Sequence, residues 1–216
     1  MNTRRIYLIG PSSTGKTTLC NAIAKHLSLP TSVHLAEVAR DVIRAGGWTR
    51  NDIGLLEMQQ KILDAHAEKE REVIERWEGD KDHQKNGGVQ LLCDRSAIDP
   101  IVYAVLTSSK VAAPGCSVED LEKTRRDEMV NSTSFQAIFP TYLEPTSHFY
   151  LLEPVEDWLE DDGFRHVGDQ LESFHVFKRL LGELGILYRI IGKEMLDLAE
   201  RVRFVLSLGE DESIGL

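Results

Sequence analysis

Eight residues near the start of the chain carry chemistry in their spacing. Gly10-Pro11-Ser12-Ser13-Thr14-Gly15-Lys16-Thr17 fits the pattern G-x-x-x-x-G-K-[ST]. The two glycines let successive backbone N–H groups curl around phosphate oxygens, and the helix that follows offers its positive end to negative charge. In such a loop the Lys16 ammonium reaches a nucleotide's outer phosphates and the Thr17 hydroxyl is a ligand for Mg2+. The pattern has meaning only between a strand and a helix. Here it follows RIYLIG and opens KTTLCNAIAKHL, in which Leu19, Ile23 and Leu27 fall at helical spacing. Gly10 through Thr18 are therefore the expected nucleotide-binding residues.

A second centre lies in VQLLCDRSAIDP, where an apolar run ends in Asp94 and Arg95. A carboxylate at the lip of a buried strand can hold magnesium through water or accept a proton from an attacking hydroxyl, and the residues leave both open. The guanidinium beside it can clamp a phosphate through two parallel hydrogen bonds. The plainer alternative is a strand-end salt bridge. Asp99 either caps the next helix or binds an acceptor, with capping favoured. Glu37 and Arg40 in HLAEVAR share a helix face at the mouth of the sheet, as an ordinary ion pair or as a substrate-side acid and base. In EDDGFRHVG, residues 160–168, Asp162 and Arg165 read as a flap that can bring a cation to a transferring phosphoryl group, or as a solvated loop. The seven histidines show no metal-ligand spacing.

These residues need a frame that brings them together. Apolar runs at RIYLIG, SVHLAE, VQLLCDR, SHFYLLEP and ILYRIIG alternate with helical patterns, including one from Asn51 or Asp52 to Trp77 and one from Val118 to Phe139. Helix DQLESFHVFKRLLGELG uses Leu171, Phe174, Phe177, Leu180, Leu181 and Leu184 as its apolar face. Alternation of this kind predicts an α/β fold: three layers around a five-stranded parallel sheet with right-handed crossovers. Ligands of such sheets sit beyond the carboxyl ends of the strands, where Gly10, Glu37, Asp94 and Glu153 fall. One domain over 1–216 is expected, with inserted loops near 79–88 and 107–117, a lid near 158–170 and a frayed tail. Trp48, Trp77 and Trp158 are expected to pack in the core.

Bulk properties exclude several classes. The net charge of −10 argues against binding nucleic acid, which needs a basic groove. No apolar run approaches the roughly 20 residues of a membrane span, and the first apolar run ends in a glycine loop without a cleavage site, unlike a secretory leader. Cys20, Cys93 and Cys116 are odd in number, lack zinc spacing and suit a reducing compartment, as buried small hydrophobes in a cytoplasmic protein.

Taken in order, GPSSTGKTTL, AEVAR, DRSAIDPIVY, DDGFR and LYRIIG…ERV resemble the ribosylnicotinamide-kinase domain of NadR and its eukaryotic AAA-like relatives, from about Ile6 to Leu206. The wider group is similar to deoxynucleoside and thymidylate kinases. The resemblance implies a P-loop NTPase fold, ATP with Mg2+ as donor, and a nucleoside-like acceptor. It places Lys16 and Thr17 on the nucleotide and metal, Asp94 and Arg95 at the reaction centre, Glu37 and Arg40 on the acceptor side, and Arg165 in the lid. A nucleotide-dependent switch acting on a protein partner is the second reading. It lacks an N-K-x-D motif for guanine, while the inserted loops speak for it. No signature for the adenine base is legible.

Overall fold

The structure is a computed structural model that describes residues 3–36, 38–78, 88–158, 170–207 and 214–215. Strand β1 (Arg4–Ile9) is buried along its whole length, as a strand covered on both faces must be. It pairs in parallel with β3 (Val89–Asp94) on one side and β4 (Ser147–Leu152) on the other. β2 (His34–Leu35) joins β3, and β5 (Tyr188–Ile191) joins β4, again in parallel. These are the five parallel strands the sequence predicts. A sixth strand, β6 (Ile214–Gly215), lies antiparallel on the outer edge of β5, where a frayed tail was expected. The exposed edge of β5 offers unpaired backbone groups, and these two residues satisfy part of that row.

Alternate residues of β1 feed opposite cores, as the period of two requires. Ile6 and Leu8 pack with Leu19, Cys20 and Ile23 of α1 (Lys16–His26) and with Val202 and Val205 of α9 (Leu198–Leu206). Tyr7 and Ile9 face the larger core, closed by α3 (Leu56–Glu78), α4 (Ile98–Leu106), α7 (Thr133–Tyr142) and α8 (Gln170–Glu183). The result is helix, sheet, helix, as predicted. The short α2 (Ala39–Ala45) precedes α3 and ends before Gly46.

Several expectations are corrected. The helix foreseen from Asn51 or Asp52 is two elements. Thr49, not Asn51, opens a 3-10 turn over Arg50–Gly54: its hydroxyl accepts the Asn51 N–H, and the Asp52 carboxylate accepts the Thr49 N–H at 2.7 Å. Leu55 is extended and exposed, and α3 starts after it. The helix foreseen over Val118–Phe139 is α6 (Val118–Val130) followed by α7, because Ser132 accepts the Phe135 N–H and starts a new helix. Part of the loop foreseen at 107–117 is helix α5 (Ser108–Val111). Leu171 is 55% exposed rather than buried, and Cys116 is exposed. Most of the loop foreseen at 79–88 and of the lid foreseen near 158–170 lies outside the described residues.

Candidate functional site: a phosphate loop beside an apolar cavity

The parallel register sets Leu8 beside Asp94, so the loop after β1 and the carboxylate ending β3 meet at one edge of the sheet. Gly10 has φ 134° and passes so close to β4 that an added Cβ would lie 2.8 Å from the Leu152 carbonyl oxygen. Gly15, at φ 85°, precedes the first turn of α1. Ser13 also takes a left-handed conformation, φ 58°. Together they fold residues 10–16 into a compact nest at the start of a helix. The Thr14 hydroxyl closes it by donating to the Pro11 carbonyl at 3.0 Å.

Lys16 is buried and its ammonium bonds the carbonyls of Gly10, at 2.8 Å, and Pro11. Thr17 and Asp94 meet directly: the hydroxyl donates to Asp94 Oδ2 at 2.6 Å. The other oxygen, Oδ1, is buried and has no hydrogen-bond partner among the described residues. A hydroxyl and a carboxylate with an unused oxygen, beside a phosphate nest, form a donor set suited to a hard cation such as Mg2+.

Arg95 has φ 80°, an uncommon conformation for a residue with a side chain. Its guanidinium pairs with Asp99 at 3.0 Å, and both groups are buried. Asp99 Oδ2 also accepts the Ser96 N–H at 3.0 Å. Burial pushes the Asp99 carboxyl above its ordinary range, and Arg95 and then Lys16 pull it back. Asp99 lies inside α4, whose N-cap Ala97 takes no side-chain cap, and its carboxylate reaches back to the Ser96 N–H instead; the Asp–Arg salt bridge exists, with Asp99 rather than Asp94.

Arg95 and Asp99 lie on one wall of a cavity of about 450 Å³. Ile43, Trp48, Ile53, Met58 and Ile62 supply its apolar lining, while Arg40 and Ser12 join the polar part. Ser12 ties the phosphate loop to α4 by a 2.8 Å hydrogen bond with the Tyr103 hydroxyl. The sequence expectation for Trp48 is corrected, because its ring lines this cavity. It can fold back because the preceding turn has Gly46, where a Cβ would collide with the indole. Trp77 is buried as foreseen. Thus Lys16, Thr17, Asp94, Arg95, Asp99 and Arg40 converge on one edge of the sheet. Glu37, Asp162 and Arg165 lie outside the described residues.

Sequence reasoning overlooked Arg201. It is 1% exposed, donates to the Thr14 carbonyl at 3.1 Å and to the Met195 carbonyl at 2.5 Å, and stacks 4.5 Å over the Trp158 ring. That ring in turn lies against Gly15. Arg201 therefore props the phosphate loop from α9. Its only signal in the sequence is its place in the ERV segment, which a helical pattern reads as surface. Arg201→Ala should weaken nucleotide binding about tenfold and remove about 2 kcal/mol of stability, the order for charge-assisted hydrogen bonds. Titration calorimetry and thermal unfolding check this; unchanged values in both would contradict the propping role.

Fold and site define a P-loop nucleotide-binding protein of the α/β class. The chain belongs to the AAA domain family, whose sequence profile matches residues 5–201. A solved structure described as NadR protein in complex with NR shares the fold. It superposes with a TM-score of 0.51 at 18% identity, covering 98% of this chain. The chain spans 53% of that protein's length. No curated protein sequence matches at a significant level. Among the described residues, no helix is long and apolar enough to cross a membrane.

Proposed function

We propose that the protein transfers the γ-phosphoryl group of ATP to a small nucleoside-like acceptor held in the cavity beside Arg95. The observation that carries the reading is the adjacency of two things: a phosphate nest with a Thr17–Asp94 pair, and a largely apolar cavity whose polar wall is Arg95 and Asp99. A nucleotide hydrolase or switch has no need of a second, organic-sized cavity at the phosphate end.

In this reading the backbone N–H groups of residues 10–16 and the Lys16 ammonium bind the triphosphate. Thr17 and Asp94 would hold Mg2+, which when bound would neutralise phosphate charge. Arg95 holds charge on the phosphoryl group as it passes between oxygens, and Asp99 fixes the direction of that guanidinium. Trp48 and the isoleucines take the acceptor's ring and exclude water, which strengthens each of these electrostatic contacts. Most of the acceleration comes from positioning the two substrates and from charge stabilisation. Because Asp94 lies directly against Thr17, the other candidate ligand, the metal-holding role suits it better than that of base. Glu37, Arg40 and Asp162 are assigned to the acceptor side and Arg165 to a closing lid. The nucleotide and acceptor are its partners in this proposal, with no nucleic acid or membrane and a cytoplasmic setting.

The test is ADP release from MgATP by the purified protein, with and without a panel of nucleosides led by nicotinamide riboside. Release that rises many-fold with one acceptor supports the reading. Slow release that no acceptor changes would favour a switch.

A further inference from the structure

The acceptor cavity has a wall that the transfer chemistry leaves unused. His66 lines it, and Glu70, wholly buried, lies one turn further along α3. His66 Nδ1 and Glu70 Oε1 are 3.7 Å apart. The second carboxyl oxygen, Oε2, accepts from the Tyr142 hydroxyl at 2.8 Å. That hydroxyl accepts in turn from the Ala97 N–H at 3.1 Å. Ala97 precedes α4 and closes the loop that begins at Asp94. The same loop contains Arg95 with its positive φ, held by Asp99. Such a backbone conformation persists only where its surroundings hold it. A continuous run of contacts therefore leads from the cavity wall through His66, Glu70 and Tyr142 to the loop that carries the reacting groups.

We infer that Glu70 is a positioning residue for phosphoryl transfer: through Tyr142 it holds the Asp94–Asp99 loop in its working geometry, and through His66 it joins that loop to the acceptor cavity. This rests on the proposed phosphoryl transfer.

Glu70 does so as a neutral acid. Burial pushes its carboxyl up to about 8, against the pull of Tyr142 and Ala97. The groups that face it are His66 on its own helix, Tyr142 from α7, Asp99 from α4, Cys93 from β3 and Tyr7 from β1. Burial holds Tyr7, Cys93 and Tyr142 well above their ordinary values, so none of them ionises alongside Glu70. Asp99 is answered by Arg95. Ionisation of Glu70 puts a desolvated charge in the core that repels Asp99, the partner of Arg95, and the Tyr142 hydrogen bond offsets this only in part. The sign follows from linkage: a carboxyl raised above its ordinary 4.5 stabilises the fold fully below that value, and the contribution is lost as pH rises through about 8.

The experiment uses the full chain with MgATP and the acceptor found in the panel. It measures kcat, KM and ATP affinity for wild type, Glu70→Gln and Tyr142→Phe across a pH range that brackets 8. Wild-type kcat should fall several-fold through that region. Glu70→Gln, which keeps the neutral shape, should retain most of the activity at neutral pH and lose the alkaline fall. Tyr142→Phe should lower kcat about tenfold with ATP affinity unchanged, the order for the loss of one hydrogen bond. An alkaline fall that survives in Glu70→Gln, or an unaltered kcat in Tyr142→Phe, would overturn the inference. A second readout needs no turnover: Tm should decline with rising pH more steeply in wild type than in Glu70→Gln, and equal slopes would also overturn it. Different slopes in a protein that turns over no acceptor would fell the transfer reading, and the positioning role with it.

Discussion

Lys16→Ala is expected to remove acceptor-dependent turnover by about 10³-fold, the upper range for losing one preorganised charge donor. The ammonium is buried under the phosphate nest, within reach of the Gly10 and Pro11 carbonyls. Among the described residues, Arg95 is turned toward Asp99 and Arg201 toward the back of the loop, so neither takes its place. The loss should appear in both kcat and MgATP affinity, because in the proposed reaction the lysine meets the phosphates before and during transfer. Steady-state ADP release and calorimetric titration with MgATP check the two effects. Thermal unfolding of the nucleotide-free variant provides the control. If Lys16→Ala turned over at the wild-type rate, the loop would not be the phosphate site.

Asp94→Asn is expected to lower turnover by on the order of 10²-fold while sparing most nucleotide binding. The amide has the carboxylate's shape and can still accept from Thr17, so the fold at the end of β3 should survive. What disappears is the negative charge next to that hydroxyl. The size of the Mg2+ requirement separates the two roles left open by the sequence. If Asp94 holds the metal, the variant should need far more Mg2+ for half-maximal rate. If it is the base, the requirement should stay the same and the acidic limb of the pH–rate profile should vanish. Full activity in Asp94→Asn would contradict both roles.

The fold was legible in the sequence because its signals are local. β1 and β3 read as strands since burial on both faces demands an unbroken apolar run, and the G-x-x-x-x-G-K-T loop has a fixed place between strand and helix. Asp94 and Arg95 were legible for the same reason, as polar residues closing such a run. The cavity was not. Trp48 and Ile43 come from around α2, Ile53 from the turn that follows it, Met58, Ile62 and His66 from α3, and only the tertiary packing brings them together. Glu70 resembled any exposed helix acid, since a charged residue among KEREV gives no hint that α7 covers it with Tyr142. Arg201 was hidden likewise: a buried arginine whose partners are backbone carbonyls leaves no pairing pattern to read. The helix boundaries at Thr49 and Ser132 were missed where a cap competes with an otherwise continuous helical pattern.

The most direct test of the central claim follows the phosphoryl group itself. The protein would be incubated with MgATP labelled in the γ-phosphate and each acceptor in turn, and the products separated and weighed by mass spectrometry. Label covalently attached to one acceptor, absent with Lys16→Ala, is the expected result. Label recovered only as inorganic phosphate, whichever acceptor is present, would contradict it.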